Sequence, residues 1–98
     1  MKLTDNYLIQ KDVERLAQED WIPWERLAGK SLLVTGATGL IGYQIVLSAL
    51  AAGERLNSPI HVFAVVRNEQ KAGRMFLNAP KENLTFVVQD ITCFYVDG

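Results

Sequence analysis

This chain has one cysteine, Cys93, and one histidine, His61. A lone cysteine excludes an internal disulfide and a cysteine-rich metal site, and it suits a reducing, cytoplasmic setting. Cys93 has no nucleophile's neighbourhood in sequence and reads as a small buried or loop residue. His61 has no His, Cys or acidic neighbour at metal-ligand spacing, so it reads as a packed or edge-facing side chain rather than a ligand. No apolar run reaches membrane-spanning length, and Met1-Lys2-Leu3-Thr4-Asp5-Asn6 lacks the charged-then-apolar build of a signal peptide, so no membrane partner is expected. An excess of positive charge is also missing. Ten Lys and Arg stand against eleven Asp and Glu, the net charge is -1, and no basic cluster or stripe occurs, which argues against a nucleic-acid partner. There is no internal repeat and no low-complexity segment.

What remains is an ordinary soluble composition, 49% hydrophobic and 21% charged over 98 residues, which implies one domain with a small core. In residues 5–20, Leu8, Ile9, Val13, Leu16 and Ala17 share one helical face. Thr4 or Asp5 is placed to cap that helix, and Pro23 requires it to end near Asp20. Trp21 and Trp24 then form an apolar patch, read as pinning the helix onto a sheet. Residues 31–34 are a short branched run fit for a buried strand. A helix follows from Tyr43 to about Ala52, with Gly53 as its stop. Residues 60–66 are apolar at every position except His61, which suits a parallel strand covered on both faces. Asn68 can cap a helix over 69–78, and 84–88 is a third strand. The pattern is β-α-β-α-β behind an N-terminal helix. It implies a three-layer α/β fold of Rossmann type, with a parallel sheet in the order 3-2-1.

Between the first strand and its helix lies Thr35-Gly36-Ala37-Thr38-Gly39-Leu40-Ile41-Gly42. A strand, a glycine-rich turn and a helix in that order can cradle a phosphate. Gly36 permits the tight turn, Gly39 lets a pyrophosphate approach the backbone, and Gly42 lets the helix pack closely on the sheet. The N–H groups at the helix start then face the anion, aided by the helix dipole. A dinucleotide is the ligand this context indicates, and a tight β–α turn without a ligand is the alternative.

Thr-Gly-x-x-Gly-x-x-Gly after the first strand resembles the cofactor loop of the extended short-chain dehydrogenase/reductases, the NAD(P)-dependent epimerases and dehydratases, many acting on nucleotide sugars. The likeness continues in Val62-Phe63-Ala64-Val65-Val66-Arg67-Asn68 and in Phe86-Val87-Val88-Gln89-Asp90-Ile91-Thr92. It covers about residues 30–98 and implies a partial NAD(P)-binding domain ending before a fourth strand, with residues 1–29 as a helical extension. It also implies that the backbone at Leu40 and Ile41 touches the pyrophosphate, and that Asp90 and Ile91 border adenine. Asp90 alternatively bonds its own turn. The family's catalytic Tyr-x-x-x-Lys does not occur after the loop. Tyr7-x-x-x-Lys11 has the spacing but precedes it, and is read as chance. No catalytic residue is therefore expected in this chain, and no turnover from it alone.

The second strand's end selects the cofactor. NAD-specific domains place an acid there for the ribose 2′-hydroxyl, whereas here Val66 is followed by Arg67 and Asn68. Arg67 can pair with a 2′-phosphate, which favours NADP slightly over NAD. An exposed loop cation is the plainer alternative. The leading expectation is thus the cofactor-binding part of an NAD(P)-dependent sugar-nucleotide epimerase or dehydratase. A non-catalytic NAD(P)-sensing module and an NADP-dependent carbonyl reductase are the alternatives. With no fourth strand, the first strand's outer edge is expected to be covered by the N-terminal helix or by a second copy in a homodimer.

Overall fold

The computed structural model of the chain describes residues 2–89. Helix α1 spans Tyr7–Leu16, the short α2 Trp24–Leu27, strand β1 Ser31–Val34, α3 Leu40–Arg55, β2 His61–Val66, α4 Glu69–Met75 and β3 Leu84–Val88, with a 3-10 turn at Lys81–Asn83 before the last strand.

The cap of α1 is Asn6, whose side chain accepts from the Ile9 N–H at 3.1 Å, and not Thr4 or Asp5. The helix also stops a turn before Asp20. Its C-terminal carbonyls are captured from outside: the Trp24 indole donates to Leu16 O at 2.9 Å and the Arg55 guanidinium to Ala17 O at 3.1 Å. These bonds satisfy acceptors that a continuing helix would have used. Val13 and Ala17 are buried, whereas Leu8, assigned to the same face, is exposed. The helix packs on α3 and not on the sheet, and Trp24 alone does the pinning, since Trp21 is 75% exposed.

Helix α3 runs through Gly53 to Arg55. A Cβ at Gly53 would stand 2.6 Å from Ile60 N, so glycine here allows close approach of the returning chain and does not stop the helix. The reversal comes at Asn57, in the left-handed region at φ 54°. Asn68 caps α4 as expected, accepting from the Lys71 N–H at 3.0 Å. That helix ends at Met75 and not at residue 78, and beyond it the Lys81 ammonium donates to the carbonyls of Phe76, Leu77 and Ala79 at 2.8–3.2 Å.

The sheet is parallel throughout, in the order β1-β2-β3, with Ser31 opposite His61 and Val62 opposite Leu84. Leu32, Val34, Val62, Ala64, Val66, Leu84 and Phe86 share one face and join Val46, Leu47, Leu50, Ala72 and Phe76 from the helices in a single apolar cluster. Leu3, Val13, Ala17 and Trp24 belong to that same cluster. On the other face Val65 is buried, but Phe63 and Val87 are only half-buried and Leu33 is 63% exposed. The described residues therefore build two layers and a flanking α1; the expected third layer, covering both faces of β2, is not among them. Among the described residues β1 pairs only with β2, and α1 lies on α3 instead of along the outer edge of β1.

Candidate functional site

The loop after β1 is folded around one carbonyl. Gly36 turns at φ +62°, the left-handed region where side chains are strained. Its carbonyl oxygen accepts from the Gly39 N–H at 3.0 Å, and a Cβ on Gly42 would lie 2.2 Å from it. Gly42 thus permits α3 to close onto its own loop; the contact is with Gly36 and Ala37, not with the sheet. Ala37 is buried, and its N–H donates to Val65 O at 3.3 Å, which ties the loop to β2. Tyr43 fixes the first turn of α3 from the other side. Its hydroxyl donates to Met75 O at 3.1 Å and its ring packs on Phe76, centroids 5.1 Å apart.

What this scaffold leaves open is the start of α3. Gly39 is its N-cap and supplies no side-chain cap, and the first turn holds no acidic residue. A 16-residue helix therefore presents its N–H groups and the positive end of its dipole without a built-in acceptor. The Leu40 and Ile41 side chains are exposed, at 67% and 73%, while Thr38 is half-buried.

The end of β2 lies beside this loop. Thr38 from the loop, Arg67 and Asn68 from the strand end, and Lys71 from the first turn of α4 line one open cleft of about 460 Å³. The structure therefore brings Thr38, Arg67 and Asn68 together. Asn68 has a structural task as well, since its Oδ1 is the α4 cap. Lys71 was missed in the sequence, although the Asn68 cap places it in the first turn, where it can turn back toward the strand end. Asp90 and Ile91 lie outside the described residues. The last described backbone bond at this edge joins the Gln89 N–H to Val66 O at 2.8 Å.

Elsewhere, the candidate groups have structural partners. The His61 ring shares a 2.8 Å hydrogen bond with the Thr85 hydroxyl and stacks obliquely on Phe63. Among the described residues no three His, Cys, Asp or Glu side chains are grouped to hold a metal ion. Lys11 sits 5.4 Å from the centroid of the exposed Tyr7 ring, a cation–π pair on the surface of α1. Compared with protein-family models, with curated proteins and with solved structures, the chain gives no match.

Proposed function

We propose that this chain is the cofactor-binding part of an NAD(P)-dependent sugar-nucleotide epimerase or dehydratase of the extended short-chain dehydrogenase/reductase type. Its own task is to hold the adenosine-diphosphate half of the dinucleotide. The bound nicotinamide would supply hydride transfer. This chain contributes orientation: the backbone around Gly36, Gly39, Leu40, Ile41 and Gly42 for the pyrophosphate, and Arg67 and Asn68 at the ribose. On the resemblance alone, Asp90 and Ile91 are assigned to adenine.

The observation that carries the reading is Gly39. Its backbone, φ −73° and ψ 164°, is one any residue adopts. A Cβ there would meet only the Gly36 carbonyl, at 3.3 Å. The fold makes a weak demand for glycine at a position where Ser, Thr, Asp or Asn would cap the helix. Glycine instead leaves the N–H groups of α3 open and the approach to them clear, as a pyrophosphate requires. The sheet order supports the same reading, because β1-β2-β3 is the adjacency 3-2-1 read from the opposite edge, the first half of a doubly wound sheet.

Gly39→Ser tests it. The serine hydroxyl would occupy the open N–H groups, so stability should change by less than about 0.5 kcal/mol while dinucleotide affinity falls at least about tenfold. Unchanged NAD and NADP affinity in a folded Gly39→Ser chain would return the loop to a ligand-free turn.

A further inference from the structure

In residues 40–45, the start of α3, Tyr43 alone is buried, and Leu40, Ile41 and Ile45 are exposed. Helix ends fray unless something holds them, and Gly39 gives this end no side-chain cap. Tyr43 supplies the hold. Its ring packs on Phe76 and the Phe76 ring packs in turn on Phe86 of β3, with centroids 5.1 and 5.8 Å apart. The α3 and α4 backbones scarcely approach each other, so side chains span the gap. The hydroxyl has its own task in that gap. Lys81 serves the carbonyls of Phe76, Leu77 and Ala79, and the Tyr43 hydroxyl serves that of Met75, an acceptor in the last turn of α4. A cavity of about 210 Å³ lies at this joint, lined by Asn6, Tyr43 and Met75 among others. Packing therefore leaves the end of α4 room to move, and the hydroxyl bond fixes its position.

Resting on the dinucleotide reading above, we infer that Tyr43 is a positioning residue that couples the pyrophosphate loop to the end of α4. It acts through the helix and not by contact with the ligand. The Tyr43 N–H donates to Gly39 O at 2.8 Å, so the residue that grips α4 also closes the first turn behind the open N–H groups. With that turn held, the N–H groups of Leu40 and Ile41 are preset for an anion. With it released, part of the population leaves the binding arrangement, and apparent affinity falls by the fraction that remains. The coupling is reciprocal: an anion on the loop tightens the hold of Tyr43 on Met75 O. A pyrophosphate engages this coupling, whereas a nucleoside without phosphate does not.

Titration of the ¹⁵N-labelled full chain with NAD and with adenosine, followed by amide NMR, tests this. NAD is expected to move the Leu40 and Ile41 signals at the loop and also those of Phe76 and Ala79 at the end of α4. Adenosine should leave the α4 signals in place. Tyr43→Phe keeps the ring and removes the hydroxyl. It should weaken NAD about threefold, the lower range for one neutral hydrogen bond, abolish the Phe76 and Ala79 response, and leave adenosine affinity unchanged. NAD binding to the native chain without a response at Phe76 and Ala79 overturns the coupling and leaves the dinucleotide reading standing. The same holds if Tyr43→Phe keeps full NAD affinity or the α4 response. Equal loss of NAD and adenosine affinity in Tyr43→Phe would be general loosening of the fold and also overturns the positioning role. Failure of NAD to bind the native chain removes the dinucleotide reading and the coupling with it.

Discussion

Gly42→Ala is the sharpest perturbation of the loop. An alanine Cβ at residue 42 would stand 2.2 Å from Gly36 O, 2.8 Å from Gly36 C and 3.1 Å from Ala37 Cα. Ordinary contact begins near 3.4 Å, so the first separation must open by about 1.2 Å (3.4 less 2.2). Every atom in the way is backbone, and no rotamer change relieves it. Moving the loop strains a left-handed Gly36 and the bonds Gly39 N–H to Gly36 O and Tyr43 N–H to Gly39 O. Moving α3 instead pulls Val46 and Leu47, both fully buried, away from the core. Overpacking of this kind costs about 1–3 kcal/mol, and weakening the two bonds adds about 1 kcal/mol. Alanine's better helix propensity returns about 1 kcal/mol, for a net loss of about 1–3 kcal/mol. In a domain of this size that lowers Tm by roughly 4–24 °C. Gly73→Ala is the matched control, because a Cβ at that α4 position meets nothing within 4 Å and should stabilise by about 0.5–1 kcal/mol. Urea unfolding followed by the fluorescence of buried Trp24 reads both. If the two substitutions shift the midpoint in the same direction, the loop–helix contact at Gly42 is not what requires glycine.

Other perturbations read other parts of the molecule. Trp24→Phe removes the indole bond to Leu16 O while keeping most of the apolar bulk, and should destabilise by about 1–2 kcal/mol in the same urea assay; no change would mean the bond contributes nothing. Ser48→Ala removes a buried hydroxyl without a hydrogen-bond partner in the middle of α3 and should stabilise by about 1 kcal/mol, whereas a loss of stability would reveal an acceptor in solution. A second copy pairing along the outer edge of β1 predicts a sedimentation coefficient that rises with concentration, and a monomer at all concentrations refutes that pairing.

The strands were legible because their signals are local and dense. Ser31–Val34 and Leu84–Val88 carry branched residues between clear breaks, and His61–Val66 differs from expectation only in releasing Ile60 to the preceding turn. The glycine positions were legible too, but the partner of Gly42 was not. Which backbone approaches a missing Cβ depends on how the loop folds back, and residue spacing does not encode it. Helix ends were the least legible part. At the end of α1 the carbonyls of Leu16 and Ala17 are met by Trp24 and Arg55, 8 and 38 residues away in the chain, and such groups leave no local mark. Lys71 was missed for a related reason. Its sequence position suggested a solvated helix cation, and only the loop carrying Thr38 turns its surroundings into a cleft.

The two bonds that close α1 also decide how the glycine loop can fluctuate. Arg55 belongs to the last turn of the helix whose first turn follows the glycine loop, and its guanidinium holds Ala17 O. Helix α3 is therefore gripped between the sheet and the N-terminal segment, with Leu3 and Val13 buried in the same cluster as Leu47. Opening the glycine loop by tilting α3 must loosen both contacts together. Amide exchange in the middle of α1 and in the body of α3 should then proceed through one shared opening event, so that residues 2–28 behave as part of the cooperative structure of the sheet and α3 and not as an appendage.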